Sequence, residues 1–351
     1  MKREYVIPIF VPHLGCSNDY SFCSENSIND KQKMLTTEDI KSTIDYFLKN
    51  IKDKNAYKEV AFFGGSFTQL DEKLQEDFLK IVYNYLKVNK IDSIRVESRP
   101  NYINKKVLKL FKKYKVKTIE LGVQSSNNYI LNKIESKYTF EDVKKASKLI
   151  RWNGFKLGLQ MIVGLPDSTK IDDINTAKAL IKLKPKMVRI YPVLVVKGSK
   201  LEEEYNNGKF QPITLVQAVE TCKELVSLFN KKHINIIRIG LQNTEEITDL
   251  GVEASQVVAG PYHPAFRQLV ESGLWYDAIV EKIKKLNVKV KEVEVTVNPI
   301  DADNVIGHKK ENVTKLKDVY DVDLILNQSK DIKQGKSKIE IVKVYNDFLN
   351  D

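Results

Sequence analysis

The chain has 351 residues, enough to bury a substantial core in one large domain with a small appendage. Hydrophobic residues make up 42% and charged residues 29%, ordinary for a soluble globular protein, and no apolar run approaches the roughly 18 residues of a membrane span, which excludes a transmembrane reading. Net charge is +11 with lysine spread over many helices, favouring polyanionic partners such as RNA, while three cysteines are too few for a disulfide framework and point to metal or redox chemistry.

The first apolar run, YVIPIFV (5–11), is short, broken by proline and followed by no small-residue cleavage site, so it reads as the first strand of a cytoplasmic protein. A long loop, GCSNDYSFCSEN, precedes the helix TTEDIKSTIDYFLKNI with its threonine N-cap. Strand signals then alternate with amphipathic helices: EVAFF (59–63), SIRVES (93–98), KTIELGV (117–123), KLGLQMIVGL (156–165), MVRIYPVLVV (187–196) and INIIRIGL (234–241). About seven βα units in succession imply parallel strands, because a parallel pair needs a crossover. The fold class is therefore α/β, a partial or full (β/α) barrel over 1–284. An open doubly wound sheet is the alternative, but no G-x-G-x-x-G follows the first strand.

From 285 the pattern changes to an alternating strand, KVKEVEVTVNP, a helix-turn-helix-like stretch and further strands, expected as a small α+β module over 285–351. Its Gly307-His308-Lys309-Lys310 turn resembles the G-x-x-G loop that clamps nucleic-acid backbone in KH modules, without the second glycine; a plain basic turn is the alternative.

In such barrels chemistry sits after the C-terminal ends of strands. After strand one, Cys16, Tyr20 and Cys23 share one loop with Phe22 before the last cysteine; two nearby cysteines there point to metal or redox chemistry, with two incidental thiols as the alternative. After strand two comes Gly64-Gly65-Ser66, where glycine allows close backbone approach to a ligand. Later strand ends carry Glu97, Gln124 and Gln160, then Tyr191 and Lys197; taken singly, such residues are also ordinary solvated or capping groups. Cys222 lies in an amphipathic helix and reads as a core cysteine, and His263, between aromatics and proline, as a loop anchor.

Together the runs IPIFVPHLGC, FFGGSFT, ESRPNYI, IELGVQS, QMIVGLPD and RIYPVLVVKGS resemble, in order and spacing over roughly residues 3–280, the radical S-adenosylmethionine (SAM) superfamily, in particular the proteins like the Elongator catalytic subunit and the related oxygen-independent coproporphyrinogen oxidases. The resemblance implies a TIM-like barrel, SAM and a [4Fe–4S] cluster as cofactors, Cys16 and Cys23 as metal ligands, Glu97 at the SAM amino group, Gln124 and Gln160 at the ribose, and Phe22, Gly64, Gly65 and Ser66 around the rest of SAM. Tyr191 and Lys197 would face the substrate. Two positions depart from the pattern: Tyr20 stands at the middle cluster cysteine, and Ser136 stands where an arginine would pair with the SAM carboxylate.

Two functions are expected from this. One is an enzyme that cleaves SAM reductively to a 5′-deoxyadenosyl radical for modification of tRNA or other RNA. The other is a cluster-deficient relative that binds SAM, a nucleoside or RNA without radical chemistry. The residues after the barrel are too few for the acetyltransferase-like domain of the Elongator subunit, and oligomeric state is not legible.

Overall fold

Runs of β-branched and aliphatic residues form strands here because their side chains pack well on a pleated surface, and each intervening amphipathic helix buries its apolar stripe against that surface. The computed structural model describes residues 4–11, 20–22, 35–241, 256–286 and 288–345. The chain divides into two compact units, Met1–Pro264 and Ala265–Asp351.

In the first unit the strands are β1 (Glu4–Val11), β2 (Tyr57–Gly64), β3 (Ser93–Ser98), β4 (Thr118–Gln124), β5 (Lys156–Val163), β6 (Met187–Pro192), the two-residue β7 (Val195–Val196) and β8 (Asn235–Ile239). β1 to β6 and β8 form one curled sheet in that order, every neighbouring pair parallel. The order contains no reversal, so there is no switch point of the doubly wound kind. Among the described residues β1 and β8 lie at opposite ends of the order, which makes the barrel partial. The run MVRIYPVLVV, expected as a single strand, is two: β6 ends at Pro192, and β7 pairs antiparallel with β9 (Val257–Ala259).

The helices are α1 (Thr37–Asn50), α2 (Glu72–Lys87), α3 (Lys105–Lys113), α4 (Asn128–Lys133), α5 (Phe140–Trp152), α6 (Lys170–Lys182), α7 (Lys200–Asn206) and α8 (Leu215–Asn230). α1, α5 and α6 start alike: Thr36, Thr139 and Thr169 each accept the backbone N–H three residues on, and Asp39, Asp142 and Asp172 return the bond. None of the described helices is long and apolar enough to cross a membrane.

Alternation along the strands gives the sheet two unlike faces. Val60, Phe62, Ile94, Val96, Ile119, Leu121, Val188 and Ile190 are buried on one; Glu59, Arg95, Glu120, Gln160 and Arg189, equally buried, occupy alternate positions that point the other way, into the half-barrel.

The second unit contains α9 (Phe266–Lys284), β10 (Val290–Val297), α10 (Ala302–Ile306), α11 (Glu311–Tyr320), β11 (Asp323–Gln328) and β12 (Ser337–Val344). Its sheet runs β11-β10-β12, with β10 parallel to β11 and antiparallel to β12. The composition change at 285 marks the start of this sheet, while the unit begins earlier, because α9 lends Ile279, Val280 and Ile283 to a core shared with Val293, Val295, Val297, Val305 and Leu316.

Candidate functional site

The half-barrel interior is built on charge. Glu59 accepts from Arg95, whose Nη1 also donates to Glu120 at 2.6 Å; Arg189 Nε lies 2.7 Å from the other Glu120 oxygen. Gly158, opposite Glu120 on β5, leaves the room this requires, since a Cβ there would lie 2.6 Å from Glu120 Cγ. The Arg189 guanidinium covers the Phe63 ring at 4.4 Å and its Nη1 donates to the Tyr191 hydroxyl at 3.1 Å. Burial would raise the Glu120 carboxyl, but Arg189 and Arg95 outweigh it and hold Glu120 below its ordinary value.

Glu97 ends the same network toward the C-terminal mouth of β3. Gln160 Nε2 donates to it at 2.6 Å, while Arg189 stands off at 3.9 Å. Burial, helped by the Glu120 charge and opposed by Arg189, pushes the Glu97 carboxyl up to about 7. A cation brought beside it would favour its ionised form, the proton leaving to water. Gln124 closes β4 at a bulge, in left-handed conformation with φ of 63°, and its amide, 9% exposed, makes no hydrogen bond among the described residues. Glu97 and Gln160 are thus in contact, and Gln124 lies two residues beyond Gly122, the register partner of Gln160.

At the end of β2, Gly64 has φ of 92°, and any Cβ would run into the Phe10 ring. Gly65 N–H donates to Val11 O at 2.8 Å. Ser66, Thr68 and Ser98 form a hydroxyl chain with oxygen separations of 3.0 and 2.8 Å, tying the ends of β2 and β3 together. The two glycines and Ser66 therefore hold the mouth of the half-barrel in shape. Tyr191 is buried in the arginine network, and Lys197 donates its backbone N–H to Gln256 O in the β7–β9 ribbon. His263 is half-buried.

Cys16 and Cys23 lie outside the described residues. Tyr20 and Phe22 lie within them, with rings stacked 4.9 Å apart and 14° from parallel, and the Arg99 guanidinium packs on the Tyr20 ring at 4.8 Å. The Tyr20 hydroxyl meets the Tyr138 hydroxyl at 2.8 Å, and Tyr138 in turn donates to Gly122 O at 2.8 Å. A phenol has one proton to give, so with Tyr138 engaged at Gly122 the proton of the pair's other bond comes from Tyr20. Ser21 between them is pinned by backbone bonds to Ile134 O and Leu201 N.

This arrangement does not fit a cluster held by three thiolates. The middle ligand position carries a phenol, buried, stacked on a cation and hydrogen-bonded to Tyr138, and thiolate is the donor such a cluster requires. The third cysteine does not compensate: Cys222 is fully buried on α8, where burial and the nearby Asp173 push its thiol up. Ser136 turns inward on its own segment, bonding Tyr138 O and N, and presents no cation to a ligand. Among the described residues no group of three or more His, Cys, Asp or Glu is placed to hold a metal.

Sequence reasoning missed Glu59, Arg95, Glu120, Arg189 and Tyr138. Arg95, Glu120 and Arg189 left a readable signal, a charge inside an otherwise apolar strand: Arg95 with Glu97 in SIRVES, Glu120 in KTIELGV, Arg189 in MVRIY. Tyr138 left none.

The Radical SAM superfamily profile matches residues 10–180, and the profile of its C-terminal domain matches residues 185–276. A tRNA uridine(34) acetyltransferase of Methanocaldococcus jannaschii is 29% identical over 193 residues, 49% of this chain and 36% of that protein. Elongator complex protein 3 of Homo sapiens is 25% identical over 190 residues, 48% of this chain and 35% of that one. The chain thus aligns with about a third of the length of these relatives. The solved archaeal Methanocaldococcus infernus Elp3, with an N-terminal deletion, superposes with a TM-score of 0.63 at 22% identity, covering 83% of this chain and 66% of that one, which shows a shared fold.

Proposed function

We propose, from the premise that the chain belongs to the radical SAM superfamily and has Elongator-like relatives, that its half-barrel binds SAM or a closely similar nucleoside without cleaving it reductively. The observation that carries this reading is the Tyr20–Tyr138 hydrogen bond, which commits the middle ligand position to protein packing. The binding half rests on what survives at the strand ends. Glu97, poised near neutrality, receives the ammonium of the ligand, and binding the cation drives off the carboxyl proton. Gln160 orients that carboxylate and offers its remaining amide valences to a ribose, as does Gln124. The macromolecule served is a transfer RNA, supported by the activity named for the M. jannaschii relative and by the +11 charge.

The test is anaerobic reconstitution with iron and sulfide, followed by iron counts, visible absorption, assay for 5′-deoxyadenosine with dithionite, and equilibrium dialysis of labelled SAM. The expected result is SAM retention with iron well below four per chain and no 5′-deoxyadenosine. A full cluster with SAM cleavage overturns the non-cleaving half, and failure to retain SAM overturns the binding half.

A further inference from the structure

The two family profiles stop at residue 276, ahead of the sheet and helices that follow. Within that second unit α10 and α11 are consecutive, joined by Gly307-His308-Lys309-Lys310 and laid against the three-stranded sheet. The turn is tight, with Lys310 N–H donating to Gly307 O at 3.0 Å. Gly307 takes φ of 87°, and a Cβ there would lie 2.9 Å from Asn312 N, so only glycine fits. Lys309 and Lys310 are both left-handed, with φ of 51° and 66°, a conformation that costs a side-chain-bearing residue roughly 1–2 kcal/mol. Buried Asn312 holds the segment there by donating to Ser272 O at 2.9 Å and Val305 O at 3.1 Å.

The turn carries two adjacent lysines. Some lysines elsewhere in the unit have carboxylate partners, Lys285 with Glu281, Lys315 with Glu311, Lys317 with Asp321 and Asp323, Lys338 with Glu340 and Lys343 with Glu292, so what sets this turn apart is its fixed left-handed backbone with two lysines side by side. Lys309 and Lys310 are exposed and take part in no ion pair among the described residues. Two adjacent unpaired ammonium groups on a rigid projecting turn between two helices match successive phosphates of one nucleic-acid strand, which a turn in this setting can grip through the backbone.

We propose that the Gly307–Lys310 turn is a phosphate-backbone clamp for single-stranded RNA, a site separate from the strand ends of the half-barrel and independent of whether they bind SAM. The test is fluorescence anisotropy of a labelled 12-nucleotide single-stranded RNA with the full chain over a salt series. The double variant Lys309→Gln with Lys310→Gln should weaken binding roughly tenfold and lower the log–log salt slope by about 1.4, two charges at about 0.7 each. Lys309→Arg with Lys310→Arg should keep the affinity. Lys338→Gln with Lys343→Gln, which removes the same charge from β12, should leave binding nearly unchanged. Circular dichroism and SAM retention, both expected to be unaffected, separate a lost clamp from lost folding or a lost nucleoside site. No binding by the wild type, equal loss in the two glutamine variants, a preference for duplex RNA or single-stranded DNA, or equal competition by polyglutamate would each overturn the clamp.

Discussion

The hydroxyl of Tyr20 and that of Tyr138, 118 residues apart in the chain, meet at 2.8 Å, and the pair hands its hydrogen bond on to Gly122 O at the mouth of β4. Both rings are buried, and burial together with Tyr20 raises the Tyr138 phenol well above its ordinary value. Tyr138→Phe leaves the Gly122 carbonyl and the Tyr20 hydroxyl without their partner and should cost about 2 kcal/mol, against about 1 kcal/mol for Tyr20→Phe, which leaves the Gly122 bond intact. Urea denaturation of the two variants checks the order.

Tyr20→Cys exchanges a stacked ring for a small thiol. It should destabilise the fold by roughly 3 kcal/mol, as a large-to-small change in a packed site does, while raising the iron retained after anaerobic reconstitution. Iron content no higher than in the wild type would show that the loop from Cys16 to Cys23 cannot hold a cluster even with a third thiol.

Glu120 is the hinge of the buried charges, because Arg95 and Arg189 both turn to it. Glu120→Gln leaves Arg189 beside a neutral amide and Arg95 with Glu59 as its remaining carboxylate, and should cost about 3–5 kcal/mol, far more than the isosteric change at an exposed glutamate. Thermal unfolding measures it, with Glu141→Gln on the exposed face of α5 as the comparison.

Glu97 produces the opposite signature. With its carboxyl pushed up to about 7, the folded chain holds a proton there that the unfolded chain has already lost above the ordinary carboxylate value. Folded-state stability should therefore fall as pH rises from about 5 to about 7, and Glu97→Gln should flatten that slope. SAM retention should move the other way, strengthening through the same window as the carboxylate forms, and Glu97→Gln should abolish that dependence. Retention independent of pH in the wild type would remove Glu97 from the ammonium site.

Much of the half-barrel was legible because β-branched runs such as SIRVES and KTIELGV sit between capped helices, and T-x-x-D marks the starts of α1, α5 and α6. What escaped was whatever depends on which side chains meet across the sheet. Resemblance marked Glu97 as a candidate ligand group, but its raised proton affinity arises from burial and from Glu120 on the neighbouring strand, neither visible in a linear pattern. Ser136 read as a missing cation; its oxygen instead closes a local turn around Tyr138, the residue that engages Tyr20. The break at Pro192 was missed because MVRIYPVLVV is a continuous run of strand-forming residues, and only pairing with β9 separates its two parts.

Gly158 deserves a last consequence. Its bare α-carbon accommodates the Glu120 side chain, and Glu120 neutralises Arg95 and Arg189, so a substitution at one position is judged by the other three. Alanine at 158 meets Glu120 before it meets anything else, and shrinking Glu120 to make space takes the close carboxylate from Arg189 and leaves Arg95 with Glu59 alone. These four positions are therefore expected to drift through sequence space as a block: a combinatorial library that varies them jointly should return folded members, while one that varies 158 alone should return little but glycine.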